Sequence, residues 1–382
     1  MGLFAPGLDG RRGLPFVLVG DPGTVKTAGI KKLARRAGLA FEGLIASLRM
    51  PTDFLGMPVP CSDGGALRME YAPAAFAVRA AQAVRAVIFL DEFNTAQPAT
   101  QAALLRVVLE GVVGELQLPP GVRFLLAMNE TEDSAGGWEI SPAMSNRLGW
   151  IAWEPPTTGA FTSYLLGSHG RGDHALEADA VSAVEEERAV DAEWGAAWAK
   201  ASGEVAGFLS VRGELLHQKP KAGTAASSRA WCSARSWDYA THAIAGSYVY
   251  GFGIDTIRIA VSAWIGLPAF TEFLQWLHTA DLPNAHDILD GKLTYKPNPS
   301  RLDRTVAVLT SCMSTLSVEG NKLHRAQRLW TLLQGLCTTS ADITIPTVQA
   351  LVRHQMVHGY PEAFDVLSKL QPMLEVADIR GR

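Results

Sequence analysis

The chain has 382 residues, of which 48% are hydrophobic and 19% charged, so it can form about two or three domains and bury a core. This composition excludes a disordered chain. The net charge of −4, from 34 basic and 38 acidic residues, leaves no positive excess to neutralise a nucleic-acid backbone. The charge balance therefore argues against a nucleic-acid partner.

The cysteine spacing and the hydropathy of the chain indicate in which cellular compartment the protein is expected. The cysteines are far apart and form no Cys-x-x-Cys pair: Cys61, Cys232, Cys312 and Cys337. They are typical of reduced thiols in a cytoplasmic protein. Arg11 and Arg12 interrupt a short, Gly-broken start, so no signal sequence is visible. No apolar run reaches the ~20 residues of a membrane helix, so we expect no membrane association.

The first predicted elements are a strand, Phe16–Val19, a Gly-rich turn and a helix over residues 27–37. This order is typical of a phosphate-binding loop, whose backbone N–H groups and helix N-terminus surround a phosphate. In the pattern G-x-x-x-x-G-K-[ST], Lys26 reaches the β- and γ-phosphates and the Thr27 hydroxyl binds Mg²⁺. The residues predicted to contact the nucleotide, ATP, are Gly20, Asp21, Pro22, Gly23, Thr24, Val25, Lys26, Thr27 and Ala28.

Val25 departs from this pattern, because it occupies the place of the second Gly. A β-branched residue restricts the backbone at that point. Taken alone, the stretch also fits a Gly-Pro turn before a surface helix.

The next predicted elements are a strand over residues 41–48, a Pro- and Gly-rich insertion that opens at residues 49–56, a short strand over 66–71 and an Ala-rich helix over 74–84. An ordinary surface loop is the alternative interpretation of the insertion.

The apolar run 87–90 ends in two carboxylates, Asp91 and Glu92. Such a run is typical of a buried parallel strand, and ligands bind at the carboxyl ends of such strands. We expect Asp91 to hold Mg²⁺ and Glu92 to orient and deprotonate the attacking water. The alternative is a buried strand that ends in a solvated acidic turn.

Residues 91–98, Asp-Glu-Phe-Asn-Thr-Ala-Gln-Pro, are similar to the motif DE-x-N-x-A-x-P of the MoxR branch of AAA+ ATPases, and residues 101–105 continue the match. The spacing from Lys26 to Asp91 also resembles that of AAA+ proteins. Some members have Ala before the loop Lys, so Val25 is unusual rather than disqualifying. The resemblance covers residues 14–155 and implies that the insertion faces the central pore of a ring.

Three further residues acquire roles through this resemblance. After the helix Pro98–Glu110, a hairpin over 111–121 and a strand over 123–128, Asn129 stands where the family positions the attacking water. A turn-forming Asn is the alternative. Residues 141–148 resemble the family's s-p-a-x-x-x-R-F, which makes Arg147 an arginine finger that reaches a neighbouring subunit; a surface Arg at a helix end is the alternative. Arg235 resembles the sensor-2 Arg of the lid, with Arg229 as a competing assignment.

The remaining predictions are helices at 176–200, 205–216 and 229–250, a linker at 220–228, and C-terminal helices at 302–316, 324–336, 345–357 and 361–370. We interpret Gly-Phe-Gly at residues 251–253 as the start of a loop, because Thr256 breaks the dinucleotide pattern. His354 and His358 lack the Glu of a zinc motif and are predicted to lie in a helical tail.

The sequence thus predicts an α/β fold: an AAA+ P-loop core with a parallel five-stranded sheet over residues 1–155, an α-helical lid over 156–280 and an α-helical C-terminal region over 281–382. The resemblance implies ATP hydrolysis with Mg²⁺ in a homo-oligomer, a hexameric ring, that remodels or assembles a client protein, in this branch often one with a von Willebrand A domain. Two alternatives stay open: an ATP-dependent assembly scaffold with weak hydrolysis, and a chelatase-like or nucleic-acid motor.

Overall fold

The computed structural model describes residues 2–7, 10–63, 66–130, 137–168, 183–221, 223–318, 322–357 and 359–380. The chain divides into two compact units. The first comprises Met1–Val190 and Gln218–Leu267, and the second comprises Asp191–His217 and Pro268–Arg382.

The first unit alternates strands and helices. Its elements in chain order are β1 (Phe16–Val19), α1 (Lys26–Arg36), β2 (Ala40–Ile45), α2 (Pro51–Leu55), β3 (Met57–Asp63), β4 (Ala66–Ala72), α3 (Ala75–Ala83), β5 (Ala86–Asp91), α4 (Pro98–Glu110), β6 (Val112–Val113), β7 (Leu116–Gln117), β8 (Val122–Met128), α5 (Pro142–Ser145), β9 (Gly149–Ala152), α6 (Thr158–Ser168), the start of α7 (Ala183–Val211), α8 (Ala234–Val249) and α9 (Ile254–Ile265).

A central sheet organises this unit. Its strand order is β2-β5-β8-β1-β9, and every neighbouring pair is parallel. All residues of β1 and β8 are buried, as are the first five of β5, which is typical of strands covered on both faces. The predicted parallel five-stranded sheet is therefore confirmed, and the carboxyl ends of β5, β8 and β1 meet at one edge.

An aromatic stack joins α8 and α9 to the sheet. Trp264 in α9 is fully buried, and its ring centroid lies 4.2 Å from that of Tyr239 and 5.4 Å from that of Phe16. Gly149 opens the space for this stack, because a Cβ there would collide with Phe16 and Trp264. The two helices are thus fixed at the amino ends of β1 and β9.

A buried ion pair fixes the first turns of α7. Arg123, near the start of β8, has a fully buried side chain and donates to Glu187, which also accepts from Arg85 Nε at 2.9 Å. Burial opposes ionisation of Glu187, but the hydrogen bonds from Arg123 and Arg85 outweigh it, so the pKa of Glu187 lies below its usual value. The pair ties α7 to the amino end of β8.

Three predictions in this unit need correction. The second strand ends at Ile45, and residues 46–48 form a 3₁₀ turn. The insertion contains a full strand, β3, paired antiparallel with β4, although Pro58 and Pro60 argue against a strand by sequence. Residues 251–253 are a turn, but α9 begins at Ile254, inside the predicted loop.

The second unit is helical and has its own core. It holds most of α7 together with α10 (Leu267–Ala280), α11 (Ala285–Leu289), α12 (Leu302–Val318), α13 (Lys322–Leu336), α14 (Ala341–Arg353) and α15 (Pro361–Arg380). The core cluster surrounds Trp330, whose indole N–H donates to Met356 O at 2.8 Å.

Helix α7 corrects the prediction of two helices at 176–200 and 205–216. Residues 176–182 lie outside the described part of the chain, and the helix runs without a break from Ala183 to Val211. Gly203 does not end it, because the absence of a Cβ lets α12 approach: a Cβ there would collide with Ser311 and Ala307. His354 follows the end of α14 rather than lying within a helix, and His358 is outside the described residues.

Three further features concern the cysteines, membrane-spanning helices and metal-binding groups. The four cysteines are free thiols. Within the described ranges, no helix is long and apolar enough to cross a membrane, and no group of three or more His, Cys, Asp or Glu side chains could hold a metal ion.

Candidate functional site

The phosphate-binding loop joins β1 to α1. Gly23 has φ 78°, and a Cβ there would meet no atom within 4 Å, so the loop is open above it. Val25 caps α1 in the left-handed region at φ 63° and ψ 29°, and the residue is 54% exposed. A β-branched residue is strained in this region, so the loop keeps the geometry that the pattern assigns to Gly.

Lys26 lies at the centre of the loop. Its Nζ donates to the carbonyl oxygens of Gly20 and Asp21, each at 2.8 Å, and to Asn129 Oδ1 at 2.9 Å. Burial lowers the pKa of Lys26, and the charges of Asp91 and Asp21 oppose that shift. Lys26 thus contacts Asn129, the predicted sensor. A bound phosphate can accept the N–H groups of Lys26 that are now directed to carbonyl oxygens.

Thr27 and Asp91 supply the oxygen donors expected of a Mg²⁺ site. The Thr27 hydroxyl donates to Asp91 Oδ2 at 2.5 Å. Mg²⁺ is usually held by one or two carboxylates, hydroxyl or water oxygens and the phosphates of its substrate. The two side chains, from α1 and the end of β5, therefore fit this ion.

Glu92 follows Asp91 in a left-handed conformation, with φ 55° and ψ 41°. Its Oε2 accepts a hydrogen bond from the Ser47 hydroxyl at 2.5 Å. Ser47 lies in the turn after β2, the strand next to β5. The sequence analysis missed Ser47, because only the pairing of β2 with β5 brings the two residues together.

Two buried amides support the acidic segment. Asn94 Nδ2 donates to the carbonyl oxygen of Asn129 at 3.2 Å, and Gln101 Nε2 donates to Ala96 O at 2.9 Å. Asn94 and Gln101 are two of the polar residues of the motif at 91–105, and both are at least 97% buried. Their hydrogen bonds connect the ends of β5 and β8 within one network.

A cavity of about 390 Å³ brings the predicted nucleotide residues together. It is lined by Pro22, Gly23, Thr24, Val25, Lys26, Thr27, Ala28, Asp91, Glu92 and Asn129. Gly20 and Asp21 touch it through Lys26. Arg147 and Arg235 do not line it.

Arg147 and Arg235 instead lie near each other at the amino ends of the strands. Arg147 Nη1 donates to Ala143 O at 2.8 Å, and its buried Nε has no hydrogen-bond partner among the described residues. Burial and the charge of Arg235 lower the pKa of Arg147, while Tyr239 opposes the shift. Two neighbouring guanidinium groups of this kind favour the approach of an anion.

Arg235 lines a second cavity, of about 310 Å³, beside these residues. Arg11, Arg12, Glu110 and Tyr239 are among its other lining residues. The competing candidate, Arg229, lies elsewhere: it donates to Glu130, next to Asn129, and its guanidinium stands 5.6 Å from the Trp150 ring centroid.

Trp153, directly after β9, contacts the loop from the other side. Its backbone N–H donates to Val19 O at 2.7 Å, and its indole Nε1–H donates to Thr24 O at 3.0 Å. Its backbone leaves no room for a Cβ at Gly20, and a Cβ on Gly29 would lie 3.2 Å from its ring. The sequence analysis missed Trp153, since a single aromatic residue after a strand carries no motif.

A family model of known proteins covers the same edge of the sheet. Residues 15–148 match the family model of the AAA domain, dynein-related subfamily, which spans the loop, the acidic pair and Asn129. A solved structure of a candidate ATPase from Cytophaga hutchinsonii is similar at 15% identity over 68% of this chain and 77% of that chain, with a TM-score of 0.44. No curated protein matches the chain. The family match supports an AAA, nucleotide-binding domain over residues 15–148.

Proposed function

We propose that this protein is an AAA+ ATPase, whose chemistry takes place in the cavity around Lys26. The observation that carries the proposal is the convergence of Lys26, Thr27, Asp91, Glu92 and Asn129 on one cavity from three neighbouring strands. A phosphate-binding loop with this acidic pair and a polar sensor is the arrangement that nucleoside-triphosphate hydrolysis needs.

Each side chain has a defined task in this proposal. Lys26 releases the carbonyls of Gly20 and Asp21 and donates to the β- and γ-phosphates. Asn129 and Glu92 orient a water in line with the bond to the leaving β-phosphate. As the water oxygen bonds to the γ-phosphorus, the bond to the bridging oxygen breaks and Glu92 receives a proton from the water.

Thr27 and Asp91 would hold Mg²⁺, which supplies neutralisation of phosphate charge. Their separation is set by the fold, because Thr27 is the second residue of α1 and Asp91 is the last residue of β5. Replacing Asp91 by Asn should therefore raise the Mg²⁺ concentration that half-maximal turnover requires.

We extend the proposal to assembly and output. Arg147 and Arg235 lie outside the cavity of their own subunit, which favours a site completed by a neighbouring subunit in a ring, a hexamer by the resemblance. The proposed output is MoxR-like remodelling or assembly of a client protein, with residues 1–155 as ATPase core, 156–280 as lid and 281–382 as C-terminal region.

A second candidate function is an ATP-dependent scaffold with slow hydrolysis. The specific observation in its favour is that Glu92 Oε2 is already engaged by Ser47. A multiple-turnover phosphate-release assay with MgATP separates the two. Repeated turnover that is lost in Lys26→Ala supports the ATPase, and a single slow turnover with tight binding supports the scaffold.

A further inference from the structure

Trp153 occupies the flank of the phosphate-binding loop that is opposite to the catalytic side chains. The sheet order around the loop is β5, β8, β1 and β9. Asp91 and Glu92 come at the end of β5, Asn129 follows β8, and Trp153 follows β9 on the far side of β1. The loop therefore has a reacting side and an aromatic side.

This asymmetry gives a bound triphosphate its direction. In the proposed function, the γ-phosphate faces Asp91, Glu92 and Asn129. The α-phosphate is at the other end of the triphosphate, so the nucleoside leaves the loop toward β9. The structure places Trp153 on that flank, where its indole donates to Thr24 O.

The indole ring is held in place for such a contact. Its Nε1–H donates to Thr24 O in the loop, and its six-membered ring packs against Gly29 in α1. Trp153 is half-buried, and no aromatic ring among the described residues stacks on it. A fixed, partly exposed indole beside a phosphate site offers a face to a flat apolar group.

Among the described residues before β1, no aromatic ring competes with Trp153 at this flank. Phe4 is the one aromatic residue in the sequence 1–15, and it lies under the guanidinium of Arg123, 5.2 Å from the ring centroid. Arg123 is at the start of β8, the end of the strand away from the loop. Phe16, which opens β1, is engaged with Trp264.

We propose that Trp153 is the platform on which the base of a nucleoside triphosphate stacks. This inference rests on the proposed function and adds the residue that makes the site a nucleotide site rather than a polyphosphate site. Stacking carries no hydrogen-bond code, so Trp153 favours a base over no base and leaves the choice between adenine and guanine to other groups.

The test compares two probes, MgATP and magnesium inorganic triphosphate, by calorimetric titration of the full chain. Trp153→Ala should weaken MgATP binding about 5- to 100-fold, the range that a base–aromatic stack provides, and leave triphosphate binding unchanged. Trp153→Phe keeps a ring but loses the N–H donor to Thr24, and it should retain most of the MgATP affinity. Trp150→Ala is the matched control, because its indole donates to Ser145 O instead of the loop.

The outcomes are distinct when thermal unfolding shows that each variant is folded. Unchanged MgATP affinity in Trp153→Ala overturns the inference. Equal weakening of both probes also overturns it, since Trp153 would then only shape the loop. If the wild-type protein binds neither probe, the proposed function itself is overturned. If the wild-type protein binds both probes and Lys26→Ala binds neither, the proposed function stands, and the result for Trp153→Ala alone decides the inference.

Discussion

The hydroxyl of Ser47 donates to Glu92 Oε2 at 2.5 Å, so the carboxylate assigned to the attacking water is held toward β2. Because β2 and β5 are neighbours, the contact is built into the sheet. The hydrogen bond makes Oε2 a weaker acceptor for a water proton, and Oε2 becomes a stronger one when it gives up its Ser47 hydrogen bond.

Glu92→Gln should bind ATP normally and lose turnover. The amide keeps the size of the side chain but cannot accept the proton, and loss of a general base costs about 10²–10⁴ in rate. Phosphate release and nucleotide titration measure the two effects. Glu214→Gln, an exposed carboxylate in the second unit, is the control. Turnover of Glu92→Gln within about threefold of wild type would refute the assignment.

Ser47→Ala should raise basal turnover without changing ATP affinity. A hydrogen bond to a charged group is worth about 1.5–3 kcal/mol, and its removal frees Oε2 for water. Steady-state phosphate release at saturating MgATP tests this. A lower rate would mean that Ser47 holds Glu92 in its working position.

Val25→Gly should preserve or raise turnover and stabilise the fold. The left-handed backbone at φ 63° costs a β-branched residue about 1–3 kcal/mol of strain in the folded state. Gly removes this strain, but about 0.5–1 kcal/mol of the gain is offset because Gly has more conformational freedom in the unfolded chain. Val84, at φ 62° after α3, is a matched control: Val84→Gly should stabilise the protein and leave ATP binding unchanged. Thermal unfolding and nucleotide titration separate the effects. Loss of binding in Val25→Gly would contradict the expectation.

Arg147→Ala should bind ATP normally yet turn over slowly, because an arginine finger contributes about 10³–10⁵ in rate in related phosphoryl transfer. If the site is shared, specific activity should rise with protein concentration. Mixing Arg147→Ala with Glu92→Gln subunits should restore activity that neither shows alone, since some interfaces then hold both intact residues. A strictly monomeric sample with full activity would exclude the shared site.

Glu187→Gln should destabilise the protein at neutral pH by about 3–5 kcal/mol, because Arg123 would lose its carboxylate while buried. The folded pKa of Glu187 is depressed, so its contribution is complete above the unfolded value of about 4.3 and is lost as pH falls through the folded value. The variant should therefore lose less stability than wild type in that acidic range. Glu193→Gln, exposed on the same helix, should follow the wild type across a pH series of unfolding curves.

Local patterns were enough to predict the sheet edge. The run before Lys26 and the run before Asp91 each combine an apolar strand with its polar end, and the parallel sheet brings them together. Ser47 and Trp153 could not be predicted, because their contacts depend on strand order rather than on neighbours in sequence.

Elsewhere, tertiary packing overrode local preference. Pro58 and Pro60 lie in a two-stranded hairpin, in which their lack of an N–H is tolerated on the free edge. Gly203 sits inside α7 because a close neighbour requires a residue without a Cβ. Neither effect leaves a signal within a few residues of sequence.

The interleaving of the two units has a consequence for synthesis. The segment Asp191–His217 leaves the ribosome before Pro268–Arg382, with which it forms one unit, and the first unit also waits for Gln218–Leu267. Neither unit can therefore finish folding before a later stretch is translated. A truncation at any one boundary between the two units therefore leaves one unit incomplete. An isolated second unit requires Asp191–His217 to be fused to Pro268–Arg382.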